Sequence, residues 1–229
     1  MSDPRFPLMV FAAGFGTRMR ELTAQRPKPL LEVAGRSLLD RALDHGAEIG
    51  AQPIVVNIHY LGAQIIDHLA GRAIAISDER GQILETGGGL RKALPLLGEG
   101  PVMTLNPDVV WRGDNPLALL AQHWDPATMD ALLLVMPRAR VAGRKGGADF
   151  ALDAEGRLKR STAAEGVVYL GAQILKPSGL GAIAQEVFSL NLLWDEMIAR
   201  GRLYGLIYRG DWCDVGSPEG LAEAEAMFA

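Results

Sequence analysis

The chain has 229 residues, 48% of them apolar and 22% charged, as in an ordinary globular protein of one large domain. Its net charge of −4 argues against a nucleic-acid-binding surface as its main purpose. The lone cysteine, Cys213, excludes an internal disulfide and a cysteine metal cluster. No apolar stretch approaches a membrane span, and the first apolar run is too short for a secretory leader, so a cytoplasmic protein is expected.

The first element is the apolar run Leu8 to Ala13, which lacks helical periodicity, stops at glycine and reads as a buried strand. Gly14 and Gly16 follow. They allow backbone geometry that other residues resist and leave main-chain N–H groups open to an anion. Between Gly14 and Lys28 lie Arg18, Arg20, Arg26 and Lys28 against one acid, Glu21, so this loop is basic against the trend of the chain. Pro27 and Pro29 hold Arg26 and Lys28 away from helix. Arg18 and Lys28 both read as exposed loop residues. A third dinucleotide-fingerprint glycine is missing, with Met19 in its place, and Gly16 is followed by Thr17-Arg18 rather than by Lys-Ser/Thr. Both facts argue against a nicotinamide-binding or Walker-type loop.

Ser37 to Ile49 reads as a helix capped by Ser37 and ended by Gly50. Pro53 to Ile58 is a strand, Leu61 to Leu69 a short helix, and Arg72 to Ser77 an outer strand. His59, after the second strand, could touch a ligand or pack under the next helix. Gly87, Gly88 and Gly89 precede a helix predicted from Leu90 to Leu97. Bare backbone there suits a flat ligand, and a flexible hinge is the plainer alternative. Pro101 to Leu105 is a buried strand ending in Asn106-Pro107-Asp108. A carboxylate at that end of a central strand is placed to hold a hard cation.

Asn115 to Trp124 reads as a helix and Ala131 to Met136 as a strand. Arg138 to Gly147 is a basic, glycine-rich surface loop. Ala148 to Leu152 and Gly156 to Arg160 form a hairpin. Val167 to Leu175 is a strand whose Gly171 implies a close approach to its backbone. Leu190 to Arg200 is a helix, with Trp194 in the core or against a ligand. Leu203 to Tyr208 is a strand leading to Trp212-Cys213-Asp214-Val215-Gly216, and Ser217 and Pro218 open the last helix. Alternating strands and helices with short links predict an α/β fold. The expected form is a Rossmann-like three-layer sandwich on a mostly parallel mixed sheet, with a small lobe. The single domain is expected to divide into a nucleotide part, about 1–136 plus 201–229, and a sugar-binding lobe, about 137–200.

The run Ala12-Ala13-Gly14-Phe15-Gly16-Thr17-Arg18, Pro27-Lys28-Pro29 and Trp212-Cys213-Asp214-Val215-Gly216 together resemble the sugar-nucleotide pyrophosphorylase family. That resemblance implies transfer of a nucleotidyl group from a nucleoside triphosphate to a sugar 1-phosphate, with pyrophosphate leaving. It implies Mg²⁺ held by Asp108 and Asp214, and Arg18 and Lys28 as the catalytic cations. It assigns the nucleotide to Ala12, Ala13, Gly14, Gly16, Thr17, Glu85, Thr86, Gly87 and Gly88. It assigns the sugar to Asn106, Asp149, Tyr169 and Gly171.

The family's Glu-Lys-Pro, whose lysine meets the sugar phosphate, is absent after the hairpin, where Arg160-Ser161-Thr162-Ala163 stands. Lys159 or Arg160 could substitute. The short chain, the Glu85-Thr86-Gly87-Gly88-Gly89 loop and the lost Glu-Lys-Pro best match the branch that joins UTP to N-acetylmuramate 1-phosphate in cell-wall recycling. An acidic sugar needs a cation, for which Arg138, Arg140, Arg144 and Lys145 are candidates. The alternatives are a mannose 1-phosphate guanylyltransferase and a catalytically silent regulatory subunit. The expected partners are the two substrates, with no nucleic acid or membrane, and the chain is expected to be a monomer or weak homodimer.

Overall fold

A computed structural model describes residues 5–141 and 146–229. In chain order the strands are β1 (Leu8–Phe11), β2 (Glu32–Val33), β3 (Arg36–Ser37), β4 (Ile54–Ile58), β5 (Ala75–Asp78), β6 (Val102–Leu105), β7 (Val109–Arg112), β8 (Ala131–Pro137), β9 (Phe150–Leu152), β10 (Leu158–Arg160), β11 (Val167–Leu175), β12 (Leu203–Ile207) and β13 (Asp211–Asp214). The helices are α1 (Leu38–Glu48), α2 (Gly62–Leu69), α3 (Glu85–Leu97), α4 (Pro116–His123), α5 (Asn191–Ala199) and α6 (Pro218–Ala226).

Nine strands form one mixed sheet. It is parallel through β5, β4, β1 and β6, and again between β8 and β12. β11 runs antiparallel to both β6 and β8 and joins the two parallel parts. Along its other edge, the second half of β11 pairs with β6 and its first residue with β9. The sheet therefore forks beside Gly171, and the β9–β10 hairpin continues it rather than standing apart.

The period of two along β1 builds both cores. Leu8 and Val10 pack with Leu39 of α1, Ile65 of α2 and Leu117 of α4. Met9 turns the other way, to Leu90 and Leu97 of α3 and Leu193 of α5. Full burial of each such side chain contributes about 1.5–3 kcal/mol. This is the three-layer α/β arrangement expected. A third cluster, with Met19, Leu38, Val110, Val215 and Ala224, lies under the basic segment and against α6. No helix among the described residues is long and apolar enough to cross a membrane.

The caps fall where the sequence places them. Ser37 accepts from Asp40 N at 3.0 Å, and Ser217 accepts from Gly220 N at 3.2 Å. The main correction concerns α3, which starts at Glu85 rather than Leu90 and includes the glycine run. Segment 186–190 explains it. Phe188 O accepts from Gly87 N at 2.9 Å and Gly88 N at 3.1 Å, and Thr86 Oγ1 accepts from Leu190 N at 3.0 Å. A Cβ on Gly87 would collide with the Phe188 ring, and one on Gly88 would lie 2.5 Å from Glu186 O. Gly87 and Gly88 are bare because a chain segment lies on them, and Gly89 because Glu79 Oε1 and Asn57 Nδ2 stand where its Cβ would be.

The described part of the basic stretch after β8 is exposed at Ala139, Arg140, Gly146 and Gly147, as a surface loop should be, and its two described arginines are tied to backbone carbonyls. Arg138–Arg140 is a short 3-10 turn. Arg138 donates to Val141 O at 2.9 Å and Gly146 O at 3.0 Å. Arg140 donates to the carbonyls of Tyr208, Arg209 and Gly210. Arg144 and Lys145 lie outside the described residues.

Candidate active site

The loop after β1 is held from below. Ala12 N donates to Asn57 Oδ1 at 2.7 Å, and Asn57 Nδ2 donates to Glu79 Oε1 at 2.7 Å. Glu79 Oε2 accepts from Leu84 N at 3.1 Å. Asn57 and Glu79 are 3% and 1% exposed, so this relay ties the glycine loop to the start of α3 inside the protein. Nothing in the pattern around Glu79 singled it out, because its partners lie on other elements. Gly16 has φ +64°, which favours glycine, and an added Cβ would stand 3.0 Å from Lys28 Cβ. Gly14 is different. A Cβ there would meet nothing within 4 Å, and the residue is exposed.

Thr17–Thr23 is a 3-10 helix that buries Met19 and leaves Arg18 and Thr17 exposed. Lys28 was expected to be exposed and is not. Its side chain is 9% exposed, and Nζ donates to Asp108 Oδ2 at 2.7 Å. Pro27 and Pro29 are buried with it, so the stiff turn carries the lysine inward.

Two further strands, not foreseen as strands, bring the carboxylates together. β7 and β13 form an antiparallel ribbon with Val109 opposite Asp214, and Val215 N donates to Asp108 O at 2.9 Å. Asp108 and Asp214, 106 positions apart in sequence, thus become neighbours in register. A Cβ on Gly216 would lie 2.7 Å from Asp214 Oδ1 and 2.8 Å from Arg18 Nη2, so carboxylate and guanidinium converge on that bare backbone. Burial pushes the nearby Cys213 thiol up to about 11, which leaves it a protonated apolar filler at neutral pH.

On the other side of the fork, Gly171 has φ +91° within a bulge of β11. Its carbonyl accepts from Asn106 N at 2.8 Å. The close approach predicted at this glycine is therefore made by Asn106. Tyr169 N donates to Asp149 Oδ2 at 3.0 Å. Burial raises the Tyr169 phenol well above its ordinary range, so it stays protonated. Its ring meets Trp194 edge-on at 5.0 Å, and Trp194 Nε1 donates to Gln173 Oε1 at 2.9 Å. Trp194 is both core and wall. Trp212 Nε1 donates to Leu170 O at 2.9 Å, which fixes the residue just before Cys213 and Asp214.

Two adjoining cavities collect these groups. One, of about 190 Å³, is lined by Ala13, Gly14, Glu85, Thr86, Asn106 and Asp108, among others. The second, of about 340 Å³, is lined by Arg18, Asp149, Tyr169, Gly171 and Asp214. It also shares Thr86, Asn106 and Asp108 with the first. Ala12, Gly16, Thr17, Lys28, Gly87 and Gly88 line neither. Of these, Lys28 still reaches the junction through Asp108, and the N–H groups of Gly87 and Gly88 are already spent on Phe188. His59 lies edge-on to Phe15 at 4.9 Å and lines neither cavity. Arg160, left open by the sequence, lines the larger one, and Lys159 does not.

The MobA-like NTP transferase domain family matches residues 8–177. The N-acetylmuramate alpha-1-phosphate uridylyltransferase of Caulobacter vibrioides is 41% identical over 96% of both chains. The protein of that name from Neisseria meningitidis serogroup B is 35% identical, again over 96% of each. A crystal structure of UDP-glucose pyrophosphorylase complexed with UDP-glucose superposes with a TM-score of 0.78. It covers 98% of both chains at 16% identity, which speaks for the fold alone. Motif, fold and similarity along the chain agree: this protein belongs to the MobA-like NTP transferase domain family, among the sugar 1-phosphate nucleotidyltransferases.

Proposed function

We propose that the chain transfers the uridylyl group of UTP to N-acetylmuramate 1-phosphate, in the cytoplasm and with Mg²⁺. One observation carries the transfer: two cavities meet at Thr86, Asn106 and Asp108, with Arg18, Lys28 and Asp214 at or beside that junction. The smaller cavity takes the nucleotide and the larger takes the sugar phosphate. The choice of UTP and N-acetylmuramate 1-phosphate is supported by the two relatives of that name.

The attacking phosphate oxygen is already an anion, so the site needs no strong general base. Its task is to bring two anions together and to meet the charge that develops. Arg18, on the wall of the larger cavity beside Asp214, would meet the charge of the departing pyrophosphate across the junction. Lys28, fixed on Asp108, adds a positive charge close to the junction. Asp108 and Asp214 suit Mg²⁺, which binds through one or two carboxylates together with substrate phosphates. That donor set fits what is present, since the two acids face one cavity, with Asp108 Oδ2 shared with Lys28 Nζ. When bound, the metal would neutralise phosphate charge between the two substrates.

A pyrophosphate-release assay with UTP and N-acetylmuramate 1-phosphate tests this. Turnover should require Mg²⁺ and stop on chelation. Undiminished turnover in chelator would remove the metal from the account.

Gly14 gives a second test. Because an added methyl group meets no protein atom, Gly14→Ala should melt within about 0.5 kcal/mol of the parent, or gain slightly from a stiffer unfolded chain. The KM for UTP should rise several-fold, because the methyl enters the nucleotide cavity. Gly88→Ala meets Glu186 O and should cost about 1–3 kcal/mol, as overpacking does. Thermal melts and nucleotide KM values separate the two. An unchanged KM for Gly14→Ala would place the nucleotide elsewhere.

A further inference from the structure

The larger cavity is lined by two cations, Arg18 and Arg160. Arg18 belongs to the phosphate end, against Gly216 and Asp214. Arg160 stands on β10, in register with Phe150 of β9. Its guanidinium lies over the Phe150 ring at 4.9 Å and the Trp194 ring at 5.7 Å. Nε donates to Asp195 Oδ1 at 2.8 Å, and Nη2 donates to Asn191 O at 3.2 Å and Asn191 Oδ1 at 3.0 Å. No described residue accepts from Nη1. The group is therefore held in one plane by three acceptors and two aromatic faces, with donor capacity left over.

Resting on the function proposed above, we propose that Arg160 reads the carboxylate of the acceptor sugar and so selects an acidic sugar 1-phosphate over a neutral one. N-acetylmuramate carries a lactyl ether whose carboxylate is absent from N-acetylglucosamine. Of the four basic residues expected to meet it, Arg144 and Lys145 lie outside the described residues. Arg138 and Arg140 are engaged by carbonyls and line no part of this cavity. Lys159 precedes Arg160 on the same strand, is exposed and also stays outside it. A guanidinium is suited to the task, since its planar fork matches a carboxylate and its weak hydration tolerates stacking on aromatic faces. Asp195 and Asn191 set its plane beforehand, so little side-chain freedom is lost on binding. Asp149, the acid on this side, is engaged by Tyr169 N.

The test compares two sugar 1-phosphates that differ only in the lactyl group. The kcat/KM for N-acetylmuramate 1-phosphate is divided by that for N-acetylglucosamine 1-phosphate, in the parent, Arg160→Gln and Arg160→Lys. Where the neutral sugar turns over too slowly, its inhibition constant against the acidic substrate takes its place. The ratio is insensitive to how much of a variant is folded. It should fall about 10- to 100-fold in Arg160→Gln, the range for a hydrogen bond to a charged group, and less in Arg160→Lys. An unchanged ratio, with both sugars weakened equally, would overturn the proposal and give Arg160 to the shared phosphate or to packing. The parent enzyme alone tests the underlying function. If it made no UDP-N-acetylmuramate at all, that function would fall whatever the variants did.

Discussion

Asp108→Asn and Asp214→Asn should each lower turnover by about 10²-fold or more, the scale for removing a preorganised electrostatic group. Asp214 ends one strand of the ribbon, Asp108 immediately precedes the other, and both line one cavity, so each loss removes one side of the same charge arrangement. Their folding consequences should differ. Asp108 also balances Lys28, whose side chain is only 9% exposed, so Asp108→Asn leaves a buried cation without its counter-charge. Both variants should need more Mg²⁺ to reach half their maximal rate. Rates near the parent value in both, with folding intact, would show that the metal and charge assignments are wrong.

Lys28→Ala should be damaging in two ways, and the loss of rate should exceed what the loss of folded protein explains. From sequence, Lys28 reads as an exposed residue whose removal would cost at most about 0.5 kcal/mol. Its burial and its 2.7 Å bond to Asp108 change that expectation. Removing one partner of a charged hydrogen bond costs about 1–3 kcal/mol. The partly exposed Asp108, at 32%, keeps the value toward the lower end by meeting water. Turnover per folded molecule should still drop about 10²-fold. Lys28→Arg should not restore it, because a planar guanidinium does not fit the space of a buried ammonium. Arg18→Ala is the contrast. Arg18 is exposed, so stability should hold within about 0.5 kcal/mol while the rate falls sharply. Thermal melts beside active-site-normalised kcat would distinguish these outcomes. A large stability loss with unchanged rate per folded molecule would make Lys28 purely structural.

Much of the fold was legible because it is written in local periodicity. β1, β4, β6, β8 and β11 are near-continuous apolar runs, as strands covered on both faces must be. Ser37 and Ser217 announce helices because a cap is a property of adjacent residues. What failed was set by distant partners. The β7–β13 ribbon pairs segments about a hundred residues apart, and neither strand is long enough to show a period. The start of α3 was missed because three glycines weaken helix propensity, and only distant packing accounts for them there: segment 186–190 against Gly87 and Gly88, and Glu79 and Asn57 against Gly89. The inward turn of Lys28 depends on Asp108, 80 positions away. The same holds for Arg160, whose role rests on Phe150, Trp194 and Asp195 rather than on its neighbours in sequence.

A product matrix tests the proposed pairing of nucleotide and sugar. UTP, GTP, ATP and dTTP are each offered with N-acetylmuramate 1-phosphate, N-acetylglucosamine 1-phosphate and mannose 1-phosphate, and products are resolved by mass. A polar site that leaves a buried partner unpaired can discriminate by about 10⁴-fold, so one pairing should dominate. UDP-N-acetylmuramate as the main product is the predicted result. Efficient GDP-mannose formation, with no product from UTP and N-acetylmuramate 1-phosphate, would contradict it.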